Sequence, residues 1–255
     1  MRIEEERFFP NGFMPPWVRY QHLERYRWAA NFVAGKRVLD VACGTGYGTG
    51  LLANAGAAQV DGFDCSPEAI AFAKKTWALP NVSFGVAIAD RLPVPDGSYD
   101  CYVSFETIEH VEDDDALLTE ATRVLRPGGS LLVSTPNREL LDPGISIEDR
   151  PFNRFHTREY SRDELNERLR RHFASITWYG QRPFSPRYIS WLGRVGRRWP
   201  ALAVKFHQAR KCVGWPWESP HRHLPTPCSG EPAVTEVLIA ACLSETPSWT
   251  TASGR

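Results

Sequence analysis

The chain has 255 residues, 42% of them hydrophobic and 24% charged, and its 30 Lys and Arg balance 30 Asp and Glu. That length holds one α/β domain with a sizeable core plus an insertion, and zero net charge excludes a protein that gathers polyanions by bulk charge. The six cysteines, at 43, 65, 101, 212, 228 and 242, form no C-x-x-C pair, which points to free thiols in a reducing compartment rather than a structural zinc or a disulfide frame.

In chain order, the opening MRIEEERFFP is charged where a signal peptide is apolar. No later run approaches the roughly 18 apolar residues of a membrane span, so a cytoplasmic location is expected. WVRYQHLERYRWAANFVA, residues 17–34, has apolar residues at helical period and stops at Gly35. KRVLDVACGTGYGTGLLANAG then reads as strand, Gly-rich turn and helix. AQVDGFDCSPEAIAFAKKTW repeats the unit, with Asp64 at the strand tip and a helix starting near Ser66 and Pro67. NVSFGVAIA and YDCYVSF read as a third and a fourth strand, DALLTEATRVLRPGG as a helix closed by Pro-Gly-Gly, and SLLVSTPN as a fifth strand. Residues 138–156 look like a long loop. SRDELNERLRRHF is an amphipathic helix with Ser161 and Glu164 as a capping box, and ASITWYG and AVTEVLIAACL are the last strands. Alternating β and α units predict a parallel sheet covered on both faces, an α/β doubly wound fold.

Ligands of such sheets bind beyond the carboxyl ends of the strands. LDVACGTGYGTG sits at one such end, where Gly44 and Gly46 allow a sharp turn and a close ligand. Asp64, at the next strand tip, is placed to accept from ribose hydroxyls. A dinucleotide site is the rival reading, but Thr49 stands where its third glycine belongs.

VLDVACGTGYG, DGFDCSPEAI, ADRLPVPDGSYD and RVLRPGGSLLVSTPN, taken in order, resemble a class I S-adenosylmethionine-dependent methyltransferase from about residue 37 to 180. The resemblance implies a Rossmann-like sheet, mostly parallel with an antiparallel C-terminal strand. It assigns Asp40, Gly44 and Gly46 to the methionine part of S-adenosylmethionine, Asp64 to the ribose, and Ile88, Ala89 and Asp90 to the border of the adenine. Relatives carry an acid where Ile88 aligns; Asp90 takes that place or Ala89 offers its backbone. ERFFP, HLERYRWA, VSFETIEH, STPNRE and PFNRFHTREYSRDEL are similar to bacterial methyltransferases of glycan and glycosylated-metabolite pathways. In those enzymes an N-terminal helix covers the cofactor, and an arginine there, Arg25 or Arg19 here, would pair with the methionine carboxylate. The implied organisation is a helical lid over 1–35, a cofactor-binding core over 36–182, an acceptor-binding insertion over 183–232, a last core strand over 233–245 and a disordered tail over 246–255.

Past the fourth strand, SFETIEHVEDDD puts Glu106, Glu109 and His110 at i, i+3 and i+4, one face of a predicted helix. Methyl transfer to an alcohol needs somewhere for the hydroxyl proton to go. Three readings follow. The face is solvated and its acids merely favour a helix N-terminus; or His110 or His156 is a general base held by a carboxylate such as Glu109; or Glu106, Glu109, His110 and His156 hold a divalent ion. The pattern E-x-x-E-H followed by FNRFH is similar to the metal site of small-RNA 2′-O-methyltransferases, and in part to that of ubiquinone-pathway O-methyltransferases, which nominates His156 as the distant ligand. Magnesium prefers oxygen ligands and manganese accepts imidazole more readily. The acids that follow, 112 to 115, read as a solvated run.

Between Pro183 and His223 there are eight Arg or Lys against one acid, Glu218, with Trp191, Trp199, Trp215 and Trp217 interleaved. Such a segment suits a lid over an anionic or sugar acceptor, peripheral contact with an anionic membrane carrying a lipid-linked glycan, or a homodimer interface. No nucleic-acid module accompanies it. The expected activity is O-methylation of a sugar hydroxyl with metal assistance. The rivals are a metal-independent methyltransferase for another small molecule and a cofactor-binding module without catalysis of its own.

Overall fold

The computed structural model describes residues 16–184, 186–214, 225–227 and 234–244. The start of the expected lid, Trp215, Trp217 and the expected tail lie outside them. Helix α1 (Pro16–Ala29) runs into a 3-10 turn, Ala30–Phe32, before Gly35 reverses the chain at φ 70°. Strand β1 (Arg37–Val41), α2 (Tyr47–Asn54), β2 (Gln59–Asp64), α3 (Pro67–Thr76), β3 (Val82–Val86) and β4 (Tyr99–Phe105) follow in strict alternation until the last pair. Next come α4 (Asp114–Val124), β5 (Leu125–Pro136), the single-turn α5 (Arg138–Leu141), α6 (Arg162–Arg170) and β6 (Ser175–Phe184). A helical hairpin, α7 (Pro186–Arg198) and α8 (Pro200–Gly214), precedes the two-residue β7 (Thr226–Pro227) and the long β8 (Val234–Leu243).

The strands form one eight-stranded sheet in the order β3-β2-β1-β4-β5-β8-β6-β7. β1 to β5 pair in parallel, and β8 lies antiparallel between β5 and β6. The expected doubly wound α/β sheet with an antiparallel C-terminal strand is the observed one. Its two faces explain the apolar runs: Val38 and Leu39 on β1, and Leu131 and Leu132 on β5, are fully buried in opposite clusters, because successive side chains of a strand point to opposite faces and both faces carry helices.

Local signals hold at several ends. The Ser66 hydroxyl accepts from the Ala69 N–H at 3.2 Å at the start of α3, with Pro67 in its first turn. Ser161 and Glu164 form the expected capping box of α6. Two expectations are corrected. Pro127-Gly128-Gly129 does not close α4, which ends at Val124; these residues belong to β5. The helix expected to begin within FETIEH is only a 3-10 turn, Ile108–His110, and α4 starts at Asp114. The Asp113 carboxylate accepts from the Ala116 N–H at 2.9 Å and caps α4 there, so the helix nucleates at its best cap rather than five residues earlier.

Candidate active site

The carboxyl ends of β1 to β5 share one rim, and the strand order reverses between β1 and β4, where open α/β sheets bind ligands. The Gly-rich turn lies at that point. Gly44 and Gly46 have φ of 54° and 77°, a region costly for residues with a β-carbon. A β-carbon on Gly46 would stand 2.8 Å from Ala73 and Phe84, whereas one on Gly44 would meet nothing within 4 Å. Gly46 closes the packing beneath the turn, and Gly44 opens it onto the rim. Asp64 is buried. Its two oxygens accept the Gly44 N–H at 2.9 Å and the Ser66 N–H at 2.8 Å, which ties the turn to the α3 N-terminus.

Asp40 is fully buried under the turn. It accepts from the Thr49 hydroxyl at 2.6 Å and the Tyr26 hydroxyl at 3.0 Å. Thr49, the residue at odds with a dinucleotide fingerprint, is thus a partner for the buried acid. Tyr26 comes from α1, and its ring occupies the space a β-carbon on Gly48 would need. Periodicity marked Tyr26 only as an apolar-face residue. Burial pushes the Asp40 carboxyl up to about 7. A carboxyl whose folded value is raised favours the protonated native state. Stability is therefore expected to fall as pH rises from about 4 to about 7 and then level off, and Asp40→Asn is expected to flatten that slope in thermal melts.

At the adenine border, Ile88 is exposed at 53% just past β3, Ala89 packs against the core and Asp90 is exposed. Arg19 is exposed. Arg25 is buried, with its guanidinium 3.4 Å from Glu106 Oε1 and 3.2 Å from Gln181 Oε1. Gln181, a partner from β6 that no sequence motif marks, donates in turn to the Gln21 carbonyl at 3.2 Å.

Glu106 has a left-handed backbone, φ 53°, rare for a residue with a side chain. Its carboxylate accepts from the Ser134 hydroxyl at 2.8 Å, so it turns toward β5 and Arg25. Glu109 and His110 turn the other way and meet His156. One ligand atom from each of these three lies within 4.8 Å of the others, the only such group among the described residues. Glu106 stands outside it, because the 3-10 turn after a left-handed residue does not keep the i, i+3, i+4 face of an α-helix.

Glu109 is fully buried. Its Oε2 accepts from the Thr135 hydroxyl at 3.0 Å, while the buried Oε1 has no hydrogen-bond partner. Burial first, then the nearby Glu106 carboxylate, push the Glu109 carboxyl up to about 8. The imidazoles of His110 and His156 stand edge-on at 4.8 Å. His110 Nδ1 is 3.1 Å from the Phe155 carbonyl, which only accepts, so Nδ1 carries the proton and Nε2 the lone pair of the neutral ring. His156 Nδ1 donates to Glu159 at 2.6 Å, and its Nε2 accepts from the Asn153 amide at 2.9 Å. Glu159 and Asn153 set the His156 tautomer and are residues that motif reading missed.

The acidic run is not uniformly solvated, contrary to expectation. Asp114 is buried against Arg158 at 2.9 Å, Arg168 at 2.8 Å and the Tyr160 hydroxyl at 2.7 Å. It fastens the segment after His156 to α4. A groove of about 640 Å³ lined by Arg126, Arg170, Arg171 and His172 lies at the amino end of β5, away from this rim. Three of those groups are paired, to Asp100, Glu167 and Asp115, so it offers no comparable chemistry.

Comparison with known proteins agrees with this geometry. Residues 39–133 match the family described as a methyltransferase domain. A probable S-adenosylmethionine-dependent methyltransferase of Mycolicibacterium smegmatis is 42% identical over 153 residues, 60% of this chain and 57% of that protein. A ubiquinone biosynthesis O-methyltransferase of Xanthomonas oryzae pv. oryzae is 37% identical over 109 residues, 42% of this chain and 45% of that protein. The matches thus span about half the length of these curated relatives. A methyltransferase structure from Thermotoga maritima superposes with a TM-score of 0.59 at 18% identity, over 90% of this chain and 94% of that one, which shows the shared fold. With the Gly-rich turn at the reversal of strand order and the family match running from β1 into β5, the chain has the Rossmann-like fold of class I methyltransferases, and its residues 39–133 are similar to a methyltransferase domain.

Proposed function

We propose that the protein is an S-adenosylmethionine-dependent O-methyltransferase whose acceptor is a sugar hydroxyl. The observation that carries the O-transfer reading is the Glu109, His110 and His156 cluster, with its buried, unpartnered Glu109 oxygen. An amine or carboxylate acceptor needs only alignment with the methyl donor and exclusion of water. A hydroxyl must also lose its proton, and this cluster is the group on the rim equipped to take it. The sugar class rests on the resemblance of HLERYRWA, VSFETIEH and STPNRE to glycan-pathway enzymes and on reading the insertion as an acceptor lid.

Gly44, Asp64 and the α2 N-terminus fit the cofactor: the turn is open where a side chain would stand, and the Asp64 carboxylate lies at its edge on the Gly44 N–H. S-adenosylmethionine supplies an electrophilic methyl group on a sulfonium. Arg25 is buried among Glu106 and Gln181 at the same rim, where its charge would face the methionine carboxylate. Asp40 acts from below, holding the turn through Thr49 and Tyr26. Ile88, Ala89 and Asp90 border the adenine, Ile88 through its exposed apolar face.

Glu109, His110 and His156 also fit a divalent cation, manganese or magnesium. Glu109 Oε1 is an orphaned buried carboxylate oxygen, and both imidazoles are oriented through Nδ1, as metal-binding histidines usually are; His156 would exchange the Asn153 amide on its Nε2 for the cation. Such a cation would lower the pKa of a bound hydroxyl. The alternative, in which His110 or His156 alone is the general base, is favoured by the Glu159 to His156 contact at 2.6 Å, which would stabilise an imidazolium.

Manganese titration followed by electron paramagnetic resonance separates the two. A bound manganese signal that Glu109→Gln weakens at least about tenfold supports the metal. No binding, with methyl transfer surviving exhaustive chelation, removes the metal and leaves the histidine base. Release of S-adenosylhomocysteine without any acceptor dependence would overturn the transferase reading itself.

A further inference from the structure

We infer that the outer face of the α7–α8 hairpin is a docking surface for an anionic lipid bilayer. This goes beyond the proposed methyl transfer and does not depend on it. The inner face is accounted for: Leu192 and Ala203 are buried against Leu140 of α5, with Tyr188 and Val195 packed beside them. A β-carbon on Gly196 would overlap the Pro143 backbone, so the hairpin is seated closely on the α5 turn.

The outer face differs in kind. Arg187, Arg194, Arg197 and Arg198 are all exposed, and at about 100° per residue they share roughly a third of the α7 circumference with Trp191. Trp199, just before α8, is 58% exposed, and on α8 Leu202 is 45% and Phe206 48% exposed, the three spaced i, i+3, i+7. Trp191 meets Phe206 edge-on at 5.8 Å, so the arginine face and the apolar face adjoin. Lys205 is exposed beside them. Between Pro186 and Gly214 the sequence has seven Arg or Lys and no acid.

Charge alone would suit any polyanion. Leu202, Phe206 and the two tryptophans beside the arginines suit a layered environment, with phosphates outside and acyl chains within. That is the boundary region of a bilayer, where aromatic and basic side chains lie together. No helix of the described residues is long and apolar enough to cross a membrane, so the hairpin would lie on the surface. It sits on α5, which leaves β5 on the rim of the candidate site, so a docked bilayer would lie beside that rim.

The test is co-flotation of the full chain with phosphatidylcholine vesicles, with and without about one-third phosphatidylglycerol, across a salt series. Binding to the anionic vesicles that weakens with salt is expected. The triple change Arg194→Gln, Arg197→Gln and Arg198→Gln is expected to weaken it about 100-fold. Trp199→Ala with Phe206→Ala should lower binding at high salt most. Both variants should keep wild-type melting temperatures and S-adenosylhomocysteine affinity. No anionic preference, or binding unchanged by both variants, overturns the inference. So does preference for a generic RNA over the vesicles.

Discussion

Glu109→Gln is expected to lower the turnover of methyl transfer by about 10²–10⁴-fold while S-adenosylhomocysteine still binds with near wild-type affinity. Glutamine keeps the length of the side chain and an oxygen for the Thr135 hydroxyl, which lies 3.0 Å from Oε2. It loses the charge, the proton and one acceptor oxygen at the position of the orphaned Oε1. Whether the cluster holds a proton or a cation, that oxygen is the one without a structural duty. Glu112→Gln on the exposed part of the same segment is the control and should change turnover little. Full activity in Glu109→Gln would remove the cluster from the chemistry. Loss of cofactor binding together with turnover would instead mark Glu109 as a structural acid.

The second large effect is expected at Gly48, where alanine forces a collision that the neighbouring packing cannot absorb. The Tyr26 ring in its way is held by edge-on contacts to Tyr47 at 5.2 Å and Phe105 at 5.1 Å, and by its hydroxyl on Asp40 at 3.0 Å. Moving the ring shifts α1 against α2 and takes one donor from a buried acid. Overpacking of this kind costs about 1–3 kcal/mol, which for a chain of this size lowers the melting temperature by roughly 2–4 °C per kcal/mol. Cofactor affinity should fall as well, because Tyr26 and Thr49 together hold Asp40 beneath the turn. In a Tyr26→Leu background the added methyl has room, so the penalty of Gly48→Ala should shrink markedly. Additive penalties would show that the glycine serves the α2 backbone rather than the crossing with α1.

Thr49 and Glu106 show why motif reading reached only part of the site. Thr49 broke a nucleotide-binding pattern in the sequence, yet in three dimensions its hydroxyl is 2.6 Å from Asp40. Glu106 belonged to a helical triplet in the sequence, yet its backbone is left-handed and its carboxylate faces Arg25 and Ser134. The Thr49 reading against a dinucleotide site stands, whereas the Glu106 error arises from assuming regular local geometry where strain and tertiary partners override it. Asp114 misled for a related reason: a run of acids looks solvated until Arg158, Arg168 and Tyr160 come from elsewhere in the chain.

Local information by itself determined the alternation of strands and helices and the glycines and acid of the Gly-rich turn, while resemblance to known methyltransferases nominated the histidine 46 positions beyond His110 that completes the cluster. Those depend on periodicity, turn chemistry and motif spacing, which a linear chain carries in full. The tertiary structure alone decided which carboxylate joins the two imidazoles, what holds Asp40, and which face of the insertion remains open. Each of those is a choice between partners far apart in sequence. It is settled by burial and by the cost of leaving a polar group unpaired in the core, neither of which exists until the sheet has closed around it.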